Sequence, residues 1–219
     1  SVCDYFHNVA RELNKTYYSA VPEEYRLAFL PVNTKEGEQY ISWMNLALDY
    51  AYENRARMLS KVCEIVKEQI EKHTQKEVFF QGEINCHHNY ASLENHYGAN
   101  VWVHRKGATR VRAGELAVIP GAMGSYSYVV EGKGCEETFH TSSHGAGRNY
   151  SRTGAKQAFS VEQVMVDLKE KGVILGKRKK NDVAEECRFA YKDIEEVMSE
   201  QQDMVTVLRK LKTVGVVKG

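Results

Sequence analysis

A long amphipathic pattern over residues 38–72 is the feature that most constrains how this chain folds. Apolar residues recur there at steps of three and four, and charged residues fill the positions between them. The apolar stripe consists of Ile41, Met44, Leu48, Ala51, Tyr52, Leu59, Val62, Val66 and Ile70. This spacing predicts one long α-helix with a single apolar face. We expect the helix to pack on the chain's own core; the alternative is a coiled coil with a partner.

Shorter patterns on either side of this helix indicate the remaining elements. Residues 2–14 have a helical pattern, and β-rich runs with Gly-containing turns occupy residues 78–143. Ser160 followed by Gln163 is typical of a capping box that opens a helix. Residues 191–211 are predicted to form another helix, and residues 213–219 a short final strand. We therefore expect an α+β fold in one domain, with a long helix and a mixed β-sheet flanked by helices.

Composition and charge narrow the class of protein. The 219 residues are 42% hydrophobic and 27% charged, as in an ordinary globular chain long enough to bury a core. The net charge of +1 provides no general attraction to nucleic acid, so such binding needs a local patch. Residues 177–180, Lys-Arg-Lys-Lys, are either such a patch or, as we favour, a solvated loop.

The cysteines and the chain ends bear on location. Five cysteines are an odd number, they are widely spaced, and no CxxC occurs, which favours a reducing compartment. No apolar run reaches the ~18 residues of a membrane span, and there is no signal-peptide pattern at the start. We expect a cytoplasmic protein without membrane contact. Because the chain starts at Ser1 and runs directly into a helical pattern, we expect it to be part of a longer protein.

One segment sets a histidine against very small residues and then adds cations. In "SSHGAGRNYSRTGAK", residues 142–156, His144 precedes Gly-Ala-Gly, and Arg148, Arg152 and Lys156 follow. Bare backbone lets a substrate approach closely, and arginine suits phosphate oxygens. A neutral imidazole is able to attack phosphorus, with arginines offsetting the developing charge. The alternative is an ordinary hydrogen-bonded loop histidine.

Three further segments carry polar groups at strand ends or in turns. Cys86, His87, His88 and Asn89 are consecutive, and since adjacent strand residues face opposite ways, at most one histidine faces a given site. Arg105 and Lys106 precede a glycine and either bind an anion or lie in a solvated turn. The loop "IPGAMGSYSY", residues 119–128, either offers backbone N–H groups to a phosphate or base edge or is a plain hairpin turn.

Taken in order, the segments "NCHHNY", "VHRKGA", "IPGAMGSYSY" and "SHGAGRNYSRTGAK" closely resemble the RtcB-type RNA ligases. "AYKDIEEVM" and the terminal "VVKG" match that family too. The resemblance implies an RtcB-like fold and GTP- and Mn²⁺-dependent joining of an RNA 3′-phosphate or 2′,3′-cyclic phosphate to a 5′-hydroxyl, as in tRNA splicing and RNA repair. It also implies that a histidine takes GMP from GTP, passes it to the RNA 3′-phosphate, and is regenerated before the 5′-hydroxyl displaces the GMP.

The same resemblance assigns roles to individual residues. His144 matches the guanylylated histidine, and Lys106 and Arg148 match cations that handle phosphate. His88 matches a metal ligand, and neutral imidazole suits Mn²⁺ beside oxygen donors. The residues matching nucleotide contacts are Asn89, Pro120, Gly121, Ala122, Met123, Ser127, Gly145, Ala146, Gly147, Tyr191 and Lys218. Ala122 stands where many relatives have Ser or Thr, so a hydroxyl contact is absent there.

One departure from the family pattern is larger. Family members carry further metal ligands upstream, in an Asp-containing segment ending in Gly-Cys and in Gly-rich and "HSGSRG"-like segments, and none of these is in this sequence. The chain therefore resembles the C-terminal portion of such a ligase. We expect negligible Mn²⁺ affinity and no ligation by the chain alone, and partners that include RNA and either the missing N-terminal half or an activator protein. The alternatives are a non-catalytic GTP- or RNA-binding remnant and a phosphohydrolase with His87, His88 and His144 as metal ligands.

Overall fold

A computed structural model of the chain describes residues 1–16, 23–25, 27–176 and 182–217. The chain divides into two compact units, Ser1–Phe79 and Phe80–Gly219. Two features singled out in the sequence, Lys218 and the basic run at residues 177–180, lie outside the described residues. No helix in the described part of the chain is long and apolar enough to cross a membrane.

The first unit is helical. It contains α1 (Val2–Thr16), a 3₁₀-helix (Glu23–Tyr25) and α2 (Lys35–Thr74), which confirms both helices predicted here. Thr34 caps the start of α2 by accepting a hydrogen bond from the Gly37 N–H. Gln75 ends the helix in the left-handed conformation, φ 55°, and its N–H donates to the Glu71 carbonyl.

The apolar stripe of α2 is only partly covered. Its first members, such as Ile41 and Met44, are half-buried, while Leu59, Val62 and Ile70 are 40%, 54% and 40% exposed. Gly37 is the one buried residue described in this helix. The expectation that the long helix packs along its length on the chain's own core is therefore wrong for the described structure. The physical reason is that, in the described part of the first unit, the 15-residue α1 is too short to cover the 40-residue α2; it contacts the start of α2, where Phe6 packs edge-on to Tyr40.

The second unit is built mainly from antiparallel strands. Strands β1 (Asn89–His96) and β2 (Ala99–Lys106) form a hairpin, and β3 (Ala108–Arg110) pairs with β6 (Thr141–Ser143). A three-stranded sheet has the order β4 (Leu116–Ile119), β5 (Tyr126–Gly132) and β8 (Val205–Lys212), and β7 (Ile174–Gly176) pairs in parallel with β9 (Gly215–Val217). The helices are α3 (Arg152–Ala158), α4 (Val161–Glu170) and α5 (Ile194–Ser199), with 3₁₀-helices at Val183–Glu186 and Arg188–Ala190. This mixture is compatible with the predicted α+β class.

One local prediction is confirmed in this unit and another is wrong. Ser160 caps α4 by accepting from the Gln163 N–H, as its spacing predicted. The helix predicted over residues 191–211 is wrong, because only α5 is helical there and β8 extends along β5. Long-range strand pairing overrides local propensity in that segment. His96 lies in β1 and is 6% exposed.

The core of the second unit is divided between two clusters of buried side chains. One contains Ile119, Tyr128 and Val130 from the three-stranded sheet together with Ala146. The other contains Met123 and Cys187 together with side chains from α4. Tyr191 packs against both clusters. Residues 119–128 and 144–147, two of the motifs identified in the sequence, thus each contribute to a core rather than to an outlying loop.

Candidate functional site

The structure brings two of the predicted histidines face to face. The His88 and His144 rings are stacked, with centroids 3.8 Å apart and planes 6° apart. His88 directly precedes β1 and His144 directly follows β6, so both rings stand at strand ends. The ladders β1–β2 and β3–β6 are joined through the Gly107 turn, which is why residues so distant in sequence meet here.

Gly107 ties these strand ends together through its backbone. Its N–H donates to Asn89 Oδ1 at 2.9 Å, and its carbonyl accepts from the His144 N–H at 3.1 Å. The Ala108 N–H donates to the His88 carbonyl at 3.4 Å. Gly107 has φ +62°, a conformation that glycine adopts without strain. The glycine after Arg105 and Lys106 therefore organises the site rather than only ending a strand.

His144 is held in a form suited to nucleophilic attack. Burial lowers the pKa of His144, and the neighbouring His88 ring lowers this pKa further. The imidazole is therefore neutral at pH 7 and retains a lone pair. Its Nδ1 is buried and has no hydrogen-bond partner in the described part of the chain. An unsatisfied buried nitrogen costs about 1–3 kcal/mol, and its retention in a folded protein calls for a functional explanation.

The glycine-rich loop predicted to bind nucleotide lies against the residue after His144. The Gly121 N–H donates to Ser127 Oγ at 3.2 Å, which closes the loop. A Cβ added to Gly145 would lie 2.9 Å from the Pro120 carbonyl oxygen, so the two backbones are in direct contact. Ala122 accepts a hydrogen bond from the Ser125 N–H, and Met123 is buried and forms a β-bridge with Cys187. The structure thus joins the loop at 120–127 to the segment 144–147.

Arg148 and Tyr191, two further residues proposed from the sequence, are hydrogen-bonded to each other. Arg148 Nη1 donates to the Tyr191 hydroxyl at 2.8 Å, Nε donates to the Tyr150 carbonyl at 2.9 Å, and Nη2 donates to the Glu185 carbonyl. The Tyr191 hydroxyl in turn donates to Glu186 at 2.7 Å. Burial, together with Glu186, raises the pKa of Tyr191 to about 12. In this arrangement the Arg148 guanidinium orients Tyr191, and these three hydrogen bonds use three of its five N–H groups.

The other predicted cations differ in their availability. Lys106 is exposed at the end of β2, beside Gly107, and makes no hydrogen bond or ion pair within the described ranges. Arg152 and Lys156 approach Glu186 at 3.8 Å and Glu185 at 3.2 Å. Arg105 is 2% exposed and paired with Glu94, so the solvated-turn interpretation is wrong for it, and the anion that it binds is a side chain of this chain. Its physical partner is a carboxylate on the adjacent strand.

The described residues provide few side chains that could bind a metal ion. No cluster of three or more His, Cys, Asp or Glu side chains within the described ranges is placed to hold a metal. His87, His88 and His144 therefore do not form the ligand set that the phosphohydrolase alternative requires. His88 is the one described residue that matches a metal ligand, so the described residues do not by themselves fit a complete Mn²⁺ site.

The sequence interpretation missed two buried residues of the second unit, Gln201 and Glu94. Gln201 is buried, and its side-chain oxygen accepts from the Ser143 N–H at 3.0 Å while its nitrogen donates to Ser143 Oγ at 3.0 Å. It fixes the residue that precedes His144. Nothing in the local sequence distinguishes Gln201 from its neighbour Gln202, and both fall in the segment wrongly predicted as helix. Glu94 was missed as well, because only its pairing with Arg105 gives it a role.

Comparison with known proteins is consistent with this arrangement of residues. A family model described as tRNA-splicing ligase RtcB matches residues 1–219. The chain is 38% identical over 216 residues to the RNA-splicing ligase RtcB of Escherichia coli K12, covering 98% of this chain and 52% of that protein. It is 35% identical over 236 residues to the tRNA-splicing ligase RtcB of Methanococcus maripaludis, covering 98% and 48%. The chain spans about half the length of these curated relatives.

Proposed function

The chain belongs to the RtcB family of tRNA-splicing ligases, and on this premise we propose that it carries the guanylyl-transfer part of an RNA ligase. The proposed reaction joins an RNA 3′-phosphate, or a 2′,3′-cyclic phosphate after its hydrolysis, to an RNA 5′-hydroxyl. GTP supplies the activating group. The names of the relatives support RNA as the substrate, and the arrangement around His144 supports the transfer.

In the proposed mechanism His144 is the nucleophile. A lone pair of its neutral imidazole attacks the α-phosphorus of GTP, an N–P bond forms, the α–β P–O bond breaks, and pyrophosphate leaves. An oxygen of the RNA 3′-phosphate then attacks the same phosphorus and displaces the imidazole, which leaves readily once it is protonated. Finally the RNA 5′-hydroxyl attacks the activated 3′-phosphate, loses its proton and releases GMP. The lowered pKa of His144 supports the first step, since it keeps the attacking ring unprotonated.

The nucleotide is proposed to lie along the backbone contributed by residues 120–123 and by Gly145, Ala146 and Gly147. Gly121, Ala122 and residues 145–147 carry little or no side chain, which supports close approach of a base or phosphate. Tyr191 and Lys218 are proposed to contact the guanine base, and Asn89 the nucleotide. Lys106, whose side chain has no partner in the described part of the chain, is proposed as a phosphate-binding cation because it precedes Gly107, whose carbonyl accepts from the His144 N–H. Arg148 is proposed as a second such cation.

The proposal also includes a divalent metal ion, for which this chain is proposed to supply one ligand. Bound Mn²⁺ would supply Lewis-acid stabilisation of charge at the transferring phosphate. The neutral imidazole of His88 is the group of this chain proposed to hold it. The remaining ligands are proposed to come from outside the described residues, from the rest of a longer ligase or from a separate polypeptide.

The single observation that carries the proposal is the half-buried His144 imidazole, which is stacked on His88 and lies where Gly145 meets the Pro120 backbone; its buried Nδ1 has no hydrogen-bond partner among the described residues. The test is to incubate the protein with Mn²⁺ and GTP labelled at the α-phosphate, with the chain alone and within a full-length ligase. We expect acid-labile, alkali-stable label on the full-length protein, lost in His144→Ala and retained in the exposed-histidine control His73→Asn.

Other outcomes would contradict the proposal. Label that persists in His144→Ala excludes His144 as the nucleophile. A rise in melting temperature with GTP and no covalent label in the full-length protein would support the non-catalytic nucleotide-binding alternative instead.

A further inference from the structure

A buried ion pair lies in the hairpin next to the site. Arg105 Nη1 and Nη2 donate to the two carboxylate oxygens of Glu94 at 2.5 Å and 3.1 Å, and the two side chains are 1% and 2% exposed. Ser92 Oγ also donates to Glu94, and His96 Nε2 lies 3.0 Å from it. Burying two charges is costly unless geometry and further hydrogen bonds compensate for the lost water. The ion pair is therefore held rigidly in the interior, unlike an ion pair on the surface.

Arg105 also reaches beyond its own hairpin. Its Nε donates to Thr141 Oγ1 at 2.9 Å, and Nη2 donates to the Phe139 carbonyl at 2.8 Å. Thr141 Oγ1 donates in turn to the same Phe139 carbonyl at 3.1 Å. The planar guanidinium makes these contacts while it remains engaged with Glu94, which a point-charge ammonium is unable to reproduce.

The segment that Arg105 holds is strained. Phe139 and His140 are consecutive residues with φ +54° and +52°. Left-handed backbone is unfavourable for bulky residues other than glycine, and it persists only where the surroundings fix it. The Val111 N–H donates to the His140 carbonyl at 2.7 Å, and the His140 N–H donates to the Cys135 carbonyl at 2.9 Å. Arg105 supplies one side-chain hydrogen bond to this turn, and the His96 ring packs against both Phe139 and His140.

The strained turn leads directly into the strand that ends at the proposed nucleophile. Residues 141–143 form β6, whose register on β3 pairs Thr141 with Arg110 and Ser143 with Ala108. His144 follows, hydrogen-bonded to the Gly107 carbonyl and stacked on His88. A change at Phe139 or His140 would shift β6 and with it the His144 ring.

We propose that Arg105, held in place by Glu94, is a positioning residue for guanylyl transfer: it fixes the left-handed turn at Phe139 and His140 and so sets the stack of His144 on His88. This inference rests on the proposed function in its catalytic consequence, although the structural consequence is measurable without any reaction. Arg105 does not touch the nucleotide or the reacting atoms. It acts through the backbone that carries His144.

The test uses two variants. Arg105→Lys keeps a positive charge beside Glu94 but removes the planar guanidinium with its several N–H donors. Thr141→Val removes only the hydroxyl that accepts from Arg105 and donates to the Phe139 carbonyl. The matched control is Arg188→Lys, because Arg188 makes a similar pair with the buried Asp167 but is not in contact with the turn. In the 219-residue chain, NMR at a fixed pH would follow the ring-proton shifts of His144, which stacking on His88 displaces. Amide exchange would follow Val111 and His144 against the amides of the β4–β5 ladder.

We expect both test variants to lose the stacking shift of His144 and the protection of the Val111 and His144 amides, while the β4–β5 ladder keeps its protection and the control keeps both. In the full-length ligase, the rate of label formation should fall about tenfold to a hundredfold with the KM for GTP unchanged. Unchanged His144 shifts in both variants, or equal loss of protection throughout the chain, would overturn the inference. If Arg105→Lys does not fold, Thr141→Val decides. If the parent ligase forms no label at all, the proposed function fails while the NMR comparison still tests the positioning role.

Discussion

The imidazole rings of His88 and His144 lie parallel, with their centroids 3.8 Å apart. Two protonated rings at that distance would repel, and accordingly the nearby His88 contributes to the lowered pKa of His144. The pair is thus favoured when at least one ring is neutral. Neutral rings also suit the roles proposed for both residues. His88 needs an unprotonated nitrogen to bind a metal, and His144 needs one to attack phosphorus.

Two substitutions of His88 distinguish the contribution of its flat ring from that of its ring nitrogens. His88→Phe keeps a flat partner for His144 but provides no metal ligand, whereas His88→Ala removes both. We expect the full-length ligase to lose Mn²⁺-dependent labelling in both variants, while the NMR shifts caused by stacking survive in His88→Phe and vanish in His88→Ala. Labelling retained at the parent rate in His88→Phe would show that the ring, and not its nitrogen, is what the reaction uses.

Gly145 tests the contact between the nucleotide loop and the His144 segment. In Gly145→Ala the added Cβ would lie 2.9 Å from the Pro120 carbonyl oxygen, so backbone has to move. We expect a loss of about 1–3 kcal/mol in the free energy of unfolding, measured by urea denaturation, and at least a tenfold slower labelling. Gly215→Ala is the control, because its Cβ would meet only an ordinary 3.6 Å contact with the Ile174 carbonyl. Equal behaviour of the two variants would contradict the close contact.

The sequence predicted those elements whose signal is local. The periodic stripe predicted α2, the Ser160 cap predicted the start of α4, and the β-rich pattern over residues 78–143 predicted the region that contains β1 to β6. It failed for β8, because that segment is a strand only through its pairing with β5. The failure to foresee the exposed part of α2 has a related cause, since periodicity identifies an apolar face but not what covers it.

The sequence singled out the residues of the candidate site but did not predict that they meet. His144, His88 and the loop at residue 120 were assigned through the family resemblance, and their proximity depends on the Gly107 turn and on two strand registers. Arg105 was misassigned because its burial depends on Glu94 across the hairpin, and an isolated sequence pattern carries no such pairing. Gln201 lacked any signal, since its role comes entirely from the position of Ser143.

Replacing Gln201 should affect stability and labelling more than replacing its neighbour Gln202. Gln201→Ala leaves the Ser143 N–H and hydroxyl without their partner, and each lost bond of this kind costs about 1 kcal/mol or more. We therefore expect a fall of about 1–3 kcal/mol in the free energy of unfolding and slower labelling of His144. The control is Gln202→Ala at an exposed position, which should leave labelling unchanged. If both variants label at the parent rate, the anchoring role of Gln201 is refuted.

The acid stability of the protein should depend on Glu94. Burial acts to raise the pKa of Glu94, but the hydrogen bonds from Arg105, Ser92 and His96 outweigh it and bring this pKa down to about 2, from an ordinary 4.5. A carboxylate with a depressed folded-state pKa stabilises the fold above its unfolded pKa. That stabilisation, about 3 kcal/mol for a shift of this size, is lost as the pH falls from 4.5 towards 2.

Glu94→Gln should therefore lower the free energy of unfolding most at pH 7, where Arg105 is left buried without its counter-charge. The difference between parent and variant should shrink by about 3 kcal/mol as the pH is taken down to 2, because the parent loses the same interaction on protonation. Urea denaturation at a series of pH values measures both. Glu115→Gln is the matched control, since its pair with Arg110 is about one-third exposed and its pH-dependent difference should be smaller. A Glu94→Gln difference that stays constant between pH 7 and pH 2 would show that the carboxylate is not held ionised by Arg105.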